Sequence, residues 1–128
     1  MFDKLNGMFS FVIYNSKKKQ LVLARDIAGE KPLYYYHKGK SFLFATEAKA
    51  LAGVLKLETQ NDENFDAFQH CLVSTLWKDV FALQPGHYLT FDISSNKKNI
   101  IEYWHFKPRE IDMNTASEEL EYLLEDSV

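Results

Sequence analysis

The stretch Ala24–Tyr36, which reads ARDIAGEKPLYYY, decides how the fold of this chain is interpreted. Gly29 tolerates the positive φ that a tight turn requires, and Pro32 has no N–H to give to a sheet, so it suits the beginning of a strand. The tyrosines that follow are typical of a pleated, half-buried strand. The stretch therefore predicts the end of one strand, a turn over residues 26–32, and a new strand over Leu33–His37.

Outward from this turn, short apolar and aromatic segments alternate with polar segments, which is the pattern of antiparallel strands. Turns are predicted at residues 15–19, 38–40, 94–99 and at Gln84–Gly86. The remaining predicted strands cover Met8–Tyr14, Gln20–Arg25, Ser41–Ala45, Asp79–Ala82, His87–Asp92 and Ile100–His105.

Three segments are predicted to be helical. Thr46 or Glu47 begins a short helix that runs to about Leu51, with Thr46 as its N-cap. A second helix covers residues 61–71, and a third, acidic helix covers Thr115–Asp126. Because the strands come mostly first, with two helices among them and one at the end, we expect an α+β fold with a mainly antiparallel sheet.

Composition narrows the class of protein. A chain of 128 residues with 46% hydrophobic and 26% charged residues is an ordinary single globular domain. A net charge of −3 argues against a nucleic-acid partner, and no apolar stretch approaches the length of about 20 residues that a membrane span needs. The basic run Lys17–Lys19 is either a solvated turn or a binding patch.

Two short motifs could carry chemistry. Arg25 and Asp26 stand at a strand end, where an arginine fork could hold a carboxylate or phosphate, or where the pair could tie the strand to the following turn. Asn6 and Gly7 could donate hydrogen bonds to an oxyanion, or could form a turn that enters the first strand. Sequence spacing alone favours the architectural interpretation of both.

The other candidate groups offer less. Cys71 is the only cysteine, which excludes an internal disulfide and fits a reducing compartment. It is either a nucleophile or a buried thiol, and the adjacent His70 cannot face it from a helix. The four histidines lack metal-ligand spacing, so we expect no metal site. Residues alone therefore indicate an α+β domain with no visible active site.

Five segments carry a resemblance that single residues do not. They are Leu5–Phe11, Ala24–Tyr35, Phe44–Leu51, Leu83–Leu89 and Tyr103–Trp104. Together and in this order they resemble the glutamine-hydrolysing asparagine synthetases. The resemblance implies the N-terminal-nucleophile hydrolase fold of the αββα type, present in part. It assigns residues 1–107 to the later part of a class II glutamine amidotransferase domain, and residues 108–128 to a linker and the beginning of the helix before a synthetase domain.

The resemblance also implies what the parent protein does. A glutaminase domain releases ammonia from glutamine, and a synthetase domain uses ATP and Mg²⁺ to amidate aspartate to asparagine. The synthetase domain would hold these cofactors, and we expect none in this chain. The rest of the parent chain is the expected partner, without nucleic acid or membrane, in the cytoplasm.

The resemblance assigns no catalytic residue to this chain. The family's N-terminal cysteine and its glutamine-binding residues lie outside the matched segment, so the chain alone is expected to be inactive. Met8 matches a methionine that lines the ammonia passage in the family, although it could equally be a core methionine of a buried strand. The matched turn residues, expected to have an architectural role, are Arg25, Asp26, Gly29, Lys31, Pro32 and Tyr34.

Two other interpretations stay open. The parent could be another class II amidotransferase, either a related enzyme with a sugar or other acceptor or the phosphoribosyl-pyrophosphate enzyme. Alternatively, the chain could be a non-catalytic interaction domain. A truncated sheet would expose an apolar face or edge, which predicts self-association through the exposed sheet.

Overall fold

The computed structural model describes residues 2–59 and 75–127. The second predicted helix, with Cys71 and His70, lies outside these residues. Within the described ranges, seven strands and two α-helices follow a short 3-10 helix over Phe2–Lys4. The strands are β1 Ser10–Asn15, β2 Gln20–Arg25, β3 Tyr34–Lys38, β4 Ser41–Ala45, β5 Val80–Ala82, β6 His87–Asp92 and β7 Lys97–Glu102. The helices are α1 Ala48–Leu55 and α2 Met113–Asp126.

The strands form two antiparallel sheets. The first sheet has the order β1-β2-β6-β7, and the second has the order β4-β3-β5. The predicted α+β class with antiparallel sheets is therefore confirmed. Every pairing in both sheets is antiparallel, as the short hairpin turns in the sequence indicate.

The main core lies between the two sheets. Leu23 and Leu89 of the first sheet are fully buried, and they pack in one cluster with Leu33, Tyr35 and Leu83 of the second sheet and its flanking loops. Burial of each such side chain stabilises the fold by about 1.5–3 kcal/mol. The alternation along β2 and β6 thus places one apolar face of the first sheet against the second.

Helix α1 forms a third layer on the other face of the second sheet. Its buried Leu51 packs with Tyr36 and Val80. The backbone N–H of Lys56, which adopts a left-handed conformation, ends the helix by bonding to carbonyls of the last turn. The layers are therefore a helix, the second sheet and the first sheet.

Several predicted boundaries are wrong. β7 begins at Lys97 rather than at Ile100, and β1 begins at Ser10, so Met8 precedes the strand. Helix α1 starts at Ala48, and its N-cap position is Glu47, not Thr46. Helix α2 starts at Met113, two residues before the predicted Thr115. Asp112 caps it by accepting hydrogen bonds from two backbone N–H groups. None of the described helices is both long and apolar enough to cross a bilayer.

Candidate functional site

The Ala24–Tyr36 stretch folds into a junction where distant parts of the chain meet. We call it the Arg25 junction, and its members are Arg25, Asp26, Gly29, Gly86 and Tyr103. β2 ends at Arg25, and the Asp26 N–H continues the sheet ladder by donating to the Phe9 carbonyl at 2.9 Å. The junction therefore begins where the first sheet ends.

The guanidinium of Arg25 donates to three main-chain carbonyls. Nε bonds to Lys31 O at 3.1 Å, Nη2 to Gly29 O at 2.5 Å, and Nη1 to Leu83 O at 2.7 Å. Burial lowers the pKa of Arg25, which nevertheless stays protonated. The side chain thus ties the turn after β2 to the loop after β5.

The Asp26 carboxylate is only 1% exposed and is held by main-chain donors. Oδ1 accepts from the N–H groups of Ala28 and Glu30, and Oδ2 accepts from Lys31, at 3.0–3.1 Å. Burial acts to raise the pKa of Asp26, but the backbone hydrogen bonds outweigh it, so the pKa lies below its ordinary value of 3.8. The carboxylate fixes the shape of the turn.

Two glycines allow the turns to approach each other. Gly29 has φ +71°, and a Cβ there would lie 2.6 Å from the Pro85 ring. Gly86 has φ +67°, and a Cβ there would lie 2.5 Å from the Trp104 carbonyl oxygen. Neither position accommodates a side chain, because both the backbone conformation and the space exclude it.

Tyr103 closes the junction from the segment that follows β7. Its hydroxyl donates to the Arg25 carbonyl at 2.7 Å, and its N–H donates to Gly86 O at 2.8 Å. The Gly86 N–H in turn donates to the Asp26 carbonyl at 3.0 Å. Burial raises the pKa of the Tyr103 hydroxyl, so it remains a donor at neutral pH. These bonds hold together the turn after β2, the Gly86 turn and the segment after β7.

Comparison with known proteins shows the family of the chain. Residues 1–104 match the family described as the glutamine amidotransferase domain. The chain belongs to the glutamine amidotransferase domain family. With its antiparallel sheets and helix layer, the fold is of the N-terminal-nucleophile hydrolase type.

Curated relatives of this amidotransferase chain agree with the match. Asparagine synthetase [glutamine-hydrolyzing] 3 of Bacillus subtilis is 35% identical over 109 residues, which are 80% of this chain and 17% of that protein. Asparagine synthetase [glutamine-hydrolyzing] 1 of the same organism is 37% identical over 97 residues, 69% of this chain and 15% of that protein. Amidase chry2 of Gibberella zeae is 37% identical over 86 residues, 66% of this chain and 13% of that protein. The chain spans about a quarter or less of the length of the relatives it matches.

The amidotransferase motif residues contribute to the junction in different ways. Each of the three guanidinium nitrogens of Arg25 donates to a main-chain carbonyl, which fits the architectural interpretation better than a fork that holds a carboxylate or phosphate ligand. Lys31 takes part through its N–H and carbonyl. Pro32 is exposed beside the turn, and Tyr34 begins β3 and packs in the cluster around Leu51.

The predictions at the beginning of the chain have a mixed outcome. Met8 is 57% exposed and precedes β1, so its interpretation as a core methionine of a buried strand is wrong. Its role in an ammonia passage stays a prediction. Gly7 has φ +97° in an exposed bend just before β1, which fits the turn interpretation of Asn6 and Gly7.

The long-range partners in the junction were not predicted. Leu83 O lies 58 residues from Arg25, and the Tyr103 hydroxyl lies 78 residues away. A signal was present, since four of the five segments that carry the resemblance contribute to the junction: Phe9, the Ala24–Tyr35 turn, the Leu83–Leu89 loop and Tyr103. Segments that match a family but carry no reactive group can therefore indicate where distant parts of the chain contact each other.

The described part of the chain does not contain an evident catalytic centre. Its Asp, Glu and His side chains form no group that could hold a metal ion. The buried Thr75 hydroxyl is engaged by main-chain groups of Trp77 and Val80. A 320 Å³ groove lies between the edge strands β1 and β4, and Phe11, Val12 and Phe44 make its lining largely apolar.

The lowered pKa of Asp26 predicts a pH dependence of stability. Its stabilising contribution is fully present above 3.8, its ordinary pKa, and is lost as pH falls through the lower folded-state value. We expect urea midpoints to fall below about pH 4 in part for this reason. The Asp26→Asn variant lacks this contribution. The difference in urea midpoint between the wild type and the variant should therefore become smaller at acid pH. A constant difference down to about pH 2 would contradict the assignment.

Proposed function

We propose that this chain is part of a glutamine-dependent asparagine synthetase. The parent hydrolyses glutamine to glutamate and ammonia, and it uses ATP and Mg²⁺ to amidate aspartate. One observation carries the proposal: residues 1–104 match the glutamine amidotransferase domain, and similar proteins include several that are named glutamine-hydrolysing asparagine synthetases. A cytoplasmic location belongs to the same proposal.

Within this proposal, the chain supplies architecture rather than the reacting groups. The Arg25 junction joins the ends of both sheets to the Tyr103 segment, and its polar groups are engaged by the protein itself. Glutamine hydrolysis in N-terminal-nucleophile enzymes needs an activated nucleophile and preorganised donors for the oxyanion. We infer that the remaining part of the glutaminase domain provides both, and that Met8 borders the path of ammonia.

A coupled assay tests the two levels of the proposal. This chain alone should release no glutamate from glutamine above the rate in buffer, because the proposal places the activated nucleophile in the remaining part of the glutaminase domain and the described residues contain no evident catalytic centre. The full open reading frame that contains it should release glutamate, and with ATP, Mg²⁺ and aspartate it should form asparagine. Replacing the first cysteine of the parent's mature glutaminase domain with alanine is the matched control, which should abolish glutaminase but leave ammonia-dependent synthesis.

The outcomes separate the claims. Turnover by the isolated chain would refute its inactivity. If the parent hydrolyses glutamine yet makes no asparagine, aspartate is not the acceptor, while the proposed glutaminase activity stands. Absence of glutaminase in the intact parent would refute the function as a whole.

A second candidate is an amidotransferase-related enzyme with another acceptor. The similarity to Amidase chry2, 37% identical over 86 residues, supports this second candidate, because that protein is named an amidase and not a synthetase. Since we infer that the acceptor is chosen outside this domain, the parent should be assayed with aspartate omitted and with other carboxylic acids or sugar phosphates supplied in its place.

A further inference from the structure

Asn6 and Gly7 form a short exposed segment between two fixed points of the fold. The 3-10 helix before them is held by Phe2, whose ring stacks on that of Tyr88 with the centroids 4.7 Å apart. After them, the Phe9 carbonyl accepts a hydrogen bond at 2.9 Å from the turn that follows β2. The segment therefore has a defined place beside the first sheet, although it is not a member of the Arg25 junction.

An asparagine followed by glycine carries both an electrophile and a nucleophile. When the Gly7 nitrogen attacks Cγ of Asn6, a C–N bond forms and a five-membered succinimide ring closes. The side-chain nitrogen leaves as ammonia and takes the proton of the attacking N–H. Water then opens the ring at either carbonyl, which gives aspartate or, when the main chain runs through the former side chain, isoaspartate. Glycine favours the attack because it has no Cβ to obstruct it.

The surroundings of Asn6 leave this reaction unobstructed. Asn6 and Gly7 are exposed and lie outside the described helices and strands. Gly7 has φ +97°, and no atom lies within 4 Å of the position that a Cβ would take. Among the described main-chain carbonyls, none accepts a hydrogen bond from the Gly7 N–H. The main-chain hydrogen bonds of the described fold therefore do not hold the attacking nitrogen away from Cγ.

Two other asparagines are held by hydrogen bonds of their side chains. In Asn96, Oδ1 lies 3.3 Å from Nε2 of His37, and Nδ2 donates to Gly39 O at 2.6 Å. Oδ1 of Asn15 accepts from the Lys18 N–H at 3.0 Å. The residue that follows each of them has a side chain, which obstructs attack by its nitrogen. Both asparagines are thus protected twice.

The remaining described asparagines lie in regular structure. Asn99 is inside β7 and precedes the β-branched Ile100. Asn114 is in the first turn of α2, where the next N–H, that of Thr115, donates to Asp112 Oδ1 at 3.1 Å. The nitrogen that would have to attack is crowded in the first case and engaged in the second.

We propose that Asn6 is a site of spontaneous covalent modification, where deamidation produces isoaspartate and aspartate, in this chain and in the parent that contains it. Of the described asparagines, Asn6 alone combines a following glycine with an exposed position outside the helices and strands. The reaction uses only atoms of Asn6, Gly7 and water. Isoaspartate would add a methylene to the main chain and a negative charge between the Phe2 and Phe9 contacts.

Peptide mapping of the full chain tests the site. Trypsin cleaves after Lys4 and Lys17, so one peptide, residues 5–17, contains both Asn6 and Asn15. After incubation of the folded protein at mildly alkaline pH, a mass increase of about 1 Da should accumulate at Asn6 at least about tenfold faster than at Asn15. The rate should rise with pH, because the attacking nitrogen must lose its proton. A protein isoaspartate methyltransferase with labelled S-adenosylmethionine should label the product.

Two controls separate the dipeptide from the fold. The synthetic peptide of residues 5–17 gives the rate without a fold, and Asn6 in the folded chain should react within about tenfold of that rate. Asn15 should react more slowly in the folded chain than in the peptide, where its hydrogen bond is lost. The variant Asn6→Gln should give no product at this position, because glutamine must close a six-membered ring. An unchanged melting curve verifies that the variant folds.

The outcomes decide the proposal. If Asn6 stays unmodified in the folded chain, or reacts no faster than Asn15, the fold protects the pair and the proposal is overturned. The same tryptic peptide is released from the full open reading frame, and an unmodified Asn6 there would also overturn it. None of these results depends on the proposed enzymatic activity, which the coupled assay tests separately.

Discussion

Replacing Gly86 with alanine is expected to destabilise the fold by about 2–4 kcal/mol, one of the largest effects of a single methyl group in this chain. Gly86 has φ +67°, and the added Cβ would meet the Trp104 carbonyl oxygen at 2.5 Å. That oxygen is backbone and cannot rotate away. Relief of the clash would pull apart the bonds from Tyr103 and Trp104 to the Gly86 carbonyl, at 2.8 and 3.2 Å.

Gly39→Ala is the matched control. Gly39 also has a positive φ, +57°, but a Cβ there has no atom within 4 Å. It should therefore cost only the conformational strain, about 1 kcal/mol. Urea unfolding followed by tryptophan fluorescence measures both changes, and the difference between them isolates the clash. Equal losses in the two variants would show that the close approach of Gly86 to Trp104 does not determine stability.

The local parts of the fold were predictable because they depend on neighbours in sequence. β2 and β4 have the predicted boundaries, since their apolar runs end in clear turn residues. β7 was misplaced because Lys97, Lys98 and Asn99 are polar and indicate a turn. Among the described strands, β7 pairs only with β6 and lies at an edge of the first sheet, and such a strand can carry solvated side chains.

The length of α1 was underestimated for a related reason. Gly53 lowers helix propensity and favours an end near Leu51, although Leu55 follows Leu51 at helical spacing. Packing decides instead: Leu55 lies against the second sheet in the cluster with Leu51, and this contact continues the helix to its Lys56 cap. Tertiary contacts override local preference here.

The sequence predicted the turn of the candidate site but not the long-range hydrogen bonds that hold it. The types and order of Arg25, Asp26 and Gly29 indicate a tight turn at a strand end. Nothing in the spacing indicates that the Arg25 guanidinium reaches Leu83, or that the Tyr103 hydroxyl reaches the Arg25 carbonyl. These bonds follow from the sheet order, which places β6 beside β2 and so brings the Gly86 turn next to Asp26.

Replacing Asp26 with asparagine is expected to cost about 2–4 kcal/mol, although the two side chains have nearly the same shape. The carboxylate accepts three N–H bonds, two at Oδ1 and one at Oδ2. An asparagine has one carbonyl oxygen and one NH₂ group. Either orientation therefore points a donor at the partly buried N–H groups of Ala28 and Glu30, or at that of Lys31, and breaks those hydrogen bonds. The negative charge that strengthens these bonds is also lost.

Asp92→Asn is the control for the chemical change itself. Asp92 is less buried than Asp26, and only its Oδ1 accepts bonds, from the N–H and hydroxyl of Ser95. An asparagine carbonyl can keep both, so Asp92→Asn should lose much less stability than Asp26→Asn. Amide hydrogen exchange adds a local readout, since the N–H groups of Ala28, Glu30 and Lys31 should lose protection only in Asp26→Asn. If those amides stay protected and the urea midpoint is unchanged, the Asp26 carboxylate is not what holds the turn at the Arg25 junction.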